Sequence, residues 1–347
     1  PAKLVHGHIV SLIEEGVDTI FYPCINKELK EFDEADNHFN CPVVAGYPEL
    51  IRNNVDLLKE KNIDYIAPFI PYDLDNKMAD RLFESFEKYG LSKKAILKAI
   101  KKGRAEDLRV KEEIKRKGEE TLEYIKENNI IGIVLAGRPY HLDREINHGI
   151  DNIVTGLGMA VFTEDSIAHL SKNSEKREIL NQWTYHARLF RAADFVNENP
   201  NLSLVQINSF GCGIDAVTTD QVSQILASKN NIYTHLKIDE GSNMGAVKIR
   251  LRSLKAALEN QQSKESNVFE DIEVPERVIF TKEMKENHTI LCPQMSPFHF
   301  GLLKGMMKSE GYNIEVLPEI DPLAIETGVK FVNNDACYPT IVVVGQI

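Results

Sequence analysis

The sequence predicts an α/β fold: two Rossmann-like, doubly wound subdomains with mostly parallel sheets, joined by a helical connection and followed by a partial third α/β unit. Three observations lead there. Short apolar runs rich in β-branched or aromatic residues, bounded by turn formers, recur along the 347 residues, as buried parallel strands do. Segments with apolar residues at helical spacing alternate with these runs, which is the order a mostly parallel sheet requires. Between two such sets lies a charged, helix-forming stretch without strand signal.

In order along the chain, DTIFYP and DYIAPFI read as the first strands, with YPELIRNNVDLLKEK as a helix between them. From about Asn76 to Asn128 charged helical sequence takes over, and its charges describe a solvated face. IGIVLAG, MAVFTED, LSLVQINS and IYTHLKID are the next strands; REILNQWTYHARLFRAADFV and AVKIRLRSLKAALENQ have helical periods. Trp183 falls within the first of those periods, in the core or at a subdomain interface. ENQQSKESNVFEDIEVPERV is polar without either period and contains the expected linker. A further strand-helix-strand follows in TILCPQMSPFHFGLLKGMMKSEGYNIEVLPEID. The expected boundaries are residues 1–128, 129–262, a linker at 263–277, and 278–347. The chain has no initiator Met and ends in the apolar TIVVVGQI, so it is expected to be a segment of a longer protein.

Composition narrows the function. Lys and Arg number 41 against 52 Asp and Glu, a net charge of -11, which leaves no electrostatic footprint for nucleic acid or anionic lipid. No apolar run approaches the roughly 20 residues of a membrane span, and the first residues lack the sections of a signal peptide. A cytoplasmic location is expected. Five cysteines without a CxxC pair argue against a disulfide framework or a zinc ribbon, and leave open a site assembled from distant loops.

Cys41, Cys212 and Cys337 each sit in a short motif where a strand is expected to give way to a helix: NHFNCPVVAGYPE, INSFGCGIDAVTTDQV and NNDACYPTIVVVG. Open α/β sheets gather ligands at the carboxyl ends of their strands, and a thiolate gains there from a helix N-terminus. The three thiols therefore suggest one shared site. Asn40-Cys41-Pro42 and Cys337-Tyr338-Pro339 also hint at a weak internal repeat.

Other readings of these motifs stay open. Gly211-Cys212-Gly213 with Ala216 satisfies G-x-G-x-x-A, and Asp239 or Glu240 ends the next strand, so a dinucleotide turn is conceivable. Arg138 and His141, in VLAGRPYHLDREINHGI, follow a strand and could bind an anion or pass on a proton. Asp143 is more simply an N-cap, with His148 on the helix it starts, and Ser242 or Asn243 caps a later helix. Cys24 and Cys292 end apolar runs and are assigned to packing. No Walker A loop, G-x-S-x-G elbow or H-E-x-x-H occurs, so ATP hydrolysis on a phosphate loop, serine hydrolysis and zincin chemistry lack support.

Taken together, NHFNCPVVAGYPE, AGRPYHLDREINHGI, NSFGCGIDAVTTDQV, LKIDEGSNMGAVKIR, CPQMSPFHF and NNDACYPTIVVVGQ closely resemble the large acyl-CoA dehydratase activase-related proteins of the 2-hydroxyglutaryl-CoA dehydratase activator system. The resemblance covers nearly the whole chain. It implies a region like a dehydratase subunit, placed after ATPase modules of the same longer protein, in which cysteines from separate α/β subdomains hold an iron-sulfur cluster, expected as 4Fe-4S. By motif the implied ligands are Cys41, Cys212 and Cys337, the last either in the same cluster or in a second one; Arg138, His141, Gly211 and Gly213 are expected to line the cofactor. The implied function is low-potential electron transfer to a 2-hydroxyacyl-CoA dehydratase or related reductase, as part of an activase and not as a catalyst alone. A cluster-free docking module, or dinucleotide or acyl-CoA binding at the Gly211 to Ala216 turn, are the alternatives.

Overall fold

The fold is described from a computed structural model in residues 2–173, 177, 179–209, 212–238, 241, 243–262, 278–318, 322–332 and 336–347. The expected linker 263–277 lies outside the described residues, as do Gly211, Asp239, Glu240 and Ser242. Two units divide the chain. Unit 1 comprises Pro1–Glu127 and Phe162–Phe195, and unit 2 comprises Asn128–Val161 and Val196–Ile347.

The first half runs α1 (Ala2–Glu14), β1 (Thr19–Phe21), α2 (Pro42–Asn54), α3 (Leu57–Glu60), β2 (Asp64–Ile66), α4 (Asp75–Phe86) and α5 (Lys93–Asn128). β1 and β2 pair in parallel, Thr19 opposite Asp64. Ile9, Ile13, Ile51, Val55 and Leu58 form a core with Ile20 on that pair, because each helix places its apolar residues on one face. A second core joins Ile70, Met78, Ala79, Ile96 and Ile100. The 36 residues of α5 realise the charged stretch as one helix, laced along its exposed side by pairs such as Arg109 with Glu106 and Glu113. Its charge is thus a solvated face held by neighbours three and four residues apart.

Next come β3 (Gly132–Ala136), a 3-10 turn at Pro139–Leu142, α6 (Arg144–Asn147), α7 (Ile150–Gly156), β4 (Ala160–Thr163), α8 (Glu164–Ile167), α9 (Thr184–Asn197), β5 (Leu202–Ser209), α10 (Gly213–Ala227), β6 (Tyr233–Ile238) and α11 (Met244–Gln262). Their sheet has the order β4-β3-β5-β6. β5 is parallel to β3, with Gly132 opposite Leu202, and to β6, with Leu204 opposite Tyr233. All five residues of β3 and seven of the eight in β5 are buried, as their unbroken apolar runs demand. Ile133, Leu135, Val205, Ile207, Leu236 and Leu251 lie in the core of this unit. The fold class is α/β with mostly parallel sheets.

Two local expectations are corrected. The helical period of REILNQW does not form a helix in its described residues, 177 and 179–183: α9 begins only at Thr184. The described residues just before it are held by backbone bonds instead, Asp36 N-H to Asn181 O at 2.8 Å and Phe39 N-H to Gln182 O at 2.9 Å, so long-range pairing overrides the local period and Trp183 bridges Phe39. Asp143 does cap α6, accepting from the amides of Glu145 and Ile146 at 2.9 and 3.2 Å. His148, however, is the left-handed residue that ends this short helix, at φ 53°.

The remaining elements are α12 (Met284–Asn287), β7 (Ile290–Cys292), α13 (Pro297–Ser309), β8 (Ile314–Val316), α14 (Pro322–Phe331) and α15 (Tyr338–Gln346). β7 and β8 are parallel across α13, the strand-helix-strand the sequence predicted. α14 and α15 pack backbone to backbone, because Cβ atoms on Gly328 and Gly345 would overlap the carbonyls of Ile341 and Ala324.

Candidate functional site

In the sheet order β4-β3-β5-β6 the chain leaves β3 toward one edge, returns to β5 on the other side of β3, and continues outward to β6. β3 and β5 therefore flank the topological switch point, and the crevice beyond their carboxyl ends is where open α/β sheets bind ligands. The segments that follow these two strands carry Arg138 and Cys212.

Arg138 is 7% exposed. Its Nε and Nη2 donate to Asp215 Oδ1 at 3.0 and 2.9 Å, and Nη2 also donates to Cys212 Sγ at 3.1 Å. Burial works against the guanidinium charge, yet the facing Asp215 and Cys212 leave its pKa above the ordinary value. Burial and the Asp215 charge push the Cys212 thiol up, with Arg138 pulling the other way. Cys212 is the N-cap residue of α10, so the positive end of a helix dipole also faces its sulfur.

The turn that carries Arg138 is fixed from behind. The Arg138 amide donates to His141 Nδ1 at 2.9 Å, and His141 Nε2 lies 3.3 Å from Ser209 Oγ, which is 3.2 Å from the Tyr140 hydroxyl. An accepting Nδ1 requires the proton on Nε2, so Nε2 donates to Ser209. Burial lowers His141 to about 4; the Asp215 charge opposes it, and the weaker Arg138 charge adds to the lowering. In this tautomer His141 cannot take a proton from Ser209, so the pair is no serine nucleophile and base. Gly137 makes the turn feasible: a Cβ there would sit 2.5 Å from His141 Nδ1 and 2.9 Å from Ile207 O.

Cys337 meets the same place from a distant part of the chain. A Cβ on Gly213 would stand 2.7 Å from Cys337 Sγ, so the space that a G-x-G-x-x-A turn would offer a pyrophosphate is taken by a thiol. Cys337 is the N-cap residue of α15. The Thr340 hydroxyl, 3.1 Å from its sulfur, holds the thiol below its usual range. Cys41 is the N-cap residue of α2, ahead of Pro42, in unit 1. Of the three motifs, only that of Cys212 joins a strand directly to a helix; α14 precedes Cys337.

Cys24 is buried, with its thiol pushed up first by burial and then by Glu49, and its backbone pairs with Pro68 and Ile70. Cys292 ends β7, half-buried. Among the described residues no group of three or more His, Cys, Asp and Glu is arranged to hold a metal ion. The donors brought together in unit 2 are two thiols with a guanidinium on one of them, which suits soft thiolate chemistry in kind and supplies two ligands in number. Sequence reasoning missed Asp215, Ser209, Tyr140 and Thr340. Asp215 alone had a signal, as an acid in the first turn of the helix that Cys212 opens.

Residues 1–167 match the family model described as CoA enzyme activase uncharacterised domain (DUF2229). No curated protein and no solved structure matches the chain. No helix among the described residues is long and apolar enough to cross a membrane.

Proposed function

We propose that this chain is the iron-sulfur, low-potential electron-transfer module of an activase that reductively primes a 2-hydroxyacyl-CoA dehydratase or a related reductase. The observation that carries the reading is the meeting of Cys212 and Cys337 at two helix N-termini beside the switch point of a parallel sheet. The activase description matched by residues 1–167 supports the same direction. Cys212 and Cys337 are two of the thiolate ligands in this reading; the assignment of Cys41 rests on its sequence motif. When bound, the cluster, assigned as 4Fe-4S, supplies one-electron chemistry at a potential tuned by the hydrogen bonds and burial around its sulfurs. The chain's own residues bind and orient: two helix ends and the Thr340 hydroxyl favour anionic sulfur, and Arg138 donates to the Cys212 sulfur. ATPase modules of the same longer protein are the proposed partners that drive the transfer, and the setting is cytoplasmic.

The test is anaerobic reconstitution with iron and sulfide, read by metal analysis and by electron paramagnetic resonance after dithionite reduction. Wild type should carry stoichiometric iron and sulfide with a cluster signal. Cys212→Ser and Cys337→Ser should each lose most of it, because a hydroxyl is a poor iron-sulfur ligand, while Cys24→Ser keeps it. Iron-free wild type, or equal iron in all four proteins, overturns the reading and favours a cluster-free docking role.

A further inference from the structure

Two thiols need no third donor to form a disulfide, which asks for Cβ atoms about 3.5–4.5 Å apart. In unit 2, Cys337 Sγ and Cβ stand 2.7 and 3.3 Å from the place that a Cβ on Gly213 would take. Cys212 is the residue before Gly213, one Cα step of about 3.8 Å away. Only at a glycine can Cys337 rest this close to the main chain that follows Cys212. A neighbour also steers each sulfur: Arg138 Nη2 donates to Cys212 Sγ at 3.1 Å, and the Thr340 hydroxyl lies 3.1 Å from Cys337 Sγ. Both cysteines are half-buried, so small molecules reach them.

We propose that Cys212 and Cys337 are a reversible dithiol/disulfide pair, a redox switch that ties the start of α10 to the start of α15. The pair uses the chain's own sulfurs with nothing bound, and it stands whether or not the iron-sulfur reading holds. The oxidant is a peroxide. One sulfur, its proton given to solvent, attacks a peroxide oxygen; the O-O bond breaks, a sulfenic acid forms, and the leaving hydroxide takes up a proton as water. The second sulfur then attacks the sulfenic sulfur, the S-O bond breaks, and hydroxide leaves as a second water with the second thiol proton. Two electrons pass from the thiols to the peroxide. A dithiol reductant reverses the change by exchange through a mixed disulfide. In a reducing compartment a disulfide of this kind is transient and redox-sensing.

The test is oxidation of the iron-free full chain with stoichiometric hydrogen peroxide, then alkylation in denaturant without reduction, read by peptide mass spectrometry. Wild type should lose two of its five alkylatable thiols and yield a linked pair of peptides carrying Cys212 and Cys337, lighter by two hydrogens than the separate peptides. Dithiothreitol should restore both thiols. Cys24→Ser should give the same linked pair, and Cys337→Ser should leave Cys212 as a sulfenic acid that dimedone traps. Equilibration of wild type in glutathione redox buffers needs no variant, and there the two thiols should disappear together at one reversible midpoint. Cys212 and Cys337 both alkylated after oxidation, or linked chiefly to Cys24, Cys41 or Cys292, overturn the proposal. The iron content of reconstituted protein is a separate measurement, so the switch and the iron-sulfur reading fail independently.

Discussion

Glu164 in unit 1 and Asp215 in unit 2 are nearly equally buried, at 2% and 5% exposure, and each has an arginine in its electrostatic surroundings. Asp215 accepts two bonds from its arginine at 2.9 to 3.0 Å. Glu164 has Arg188 near enough to pull its pKa down, but Arg188 gives its fork to Glu31 at 3.0 and 2.6 Å, and Glu164 Oε2 has no hydrogen-bond partner among the described residues. Burial first, then the Asp165 charge, push the Glu164 carboxyl up to about 8. A cation beside a buried acid is therefore not enough; what matters is which acid its donors are spent on.

The largest effect should come from breaking the pair in which arginine and acid are bonded directly. Asp215→Ala leaves Arg138 buried with its charge uncompensated and should cost about 3–5 kcal/mol of stability. Chemical denaturation read by circular dichroism would show it. Replacing Arg138 and Asp215 together by apolar residues of similar volume should recover most of the loss, since neither charge is then stranded. A single and a double variant of equal stability would mean that the pair is not the closed unit its geometry indicates.

Next in size is a gain, from the unsatisfied acid. The folded pKa of Glu164 stands near 8 against an ordinary 4.5, so between those values the folded state holds a proton that the unfolded chain has released. Stability contributed by this group is full below pH 4.5 and falls as pH rises toward 8, by at most about 1.4 kcal/mol per unit. Glu164→Gln mimics the protonated form. It should match wild type at low pH and exceed it by on the order of 2–3 kcal/mol near neutrality. Parallel stability curves across this window would place Glu164 in contact with solvent or with Arg188.

A third variant asks what keeps Glu164 buried. A Cβ on Gly118 of α5 would overlap the carbonyl of Ser166, two residues along α8 from Glu164. Gly118→Ala should destabilise by about 1–3 kcal/mol through overpacking. It should also flatten the pH slope, because α8 must shift and admit water to the carboxyl. Destabilisation with an unchanged slope would separate the helix contact from the burial of the acid.

Neither carboxyl environment was legible in sequence, and the reason is distance along the chain. The strands were readable because a strand buried on both faces needs an unbroken apolar run, as IGIVLAG and LSLVQINS are. Cys212 and Cys337 were recognisable as residues preceding helices, since Gly213 and Pro339 mark the starts. That Cys337 comes to rest against Gly213, or that Arg138 meets Asp215, is set by loop paths and by the docking of α15, for which no periodicity exists. Glu164 looked like the end of a strand in MAVFTED. Its burial follows from α8 turning beneath the Gly118 face of α5, and a local window cannot contain that.

The smallest expected effect belongs to a carboxyl that stays in water. Asp143 is exposed, and its Oδ1 accepts the amides of Glu145 and Ile146 at 2.9 and 3.2 Å at the start of α6. Substituting an N-cap acid by alanine typically costs about 1 kcal/mol; α6 has only four residues, so the loss should lie toward the lower end of that range. Solvent reaches the freed amides and replaces much of what the side chain gave. Asp143→Ala should therefore lower the denaturation midpoint only slightly. A loss as large as that of Asp215→Ala would show that the 3-10 turn Pro139–Leu142 transmits strain from Asp143 to Arg138, and that the exposed and buried carboxyls of unit 2 act as one system.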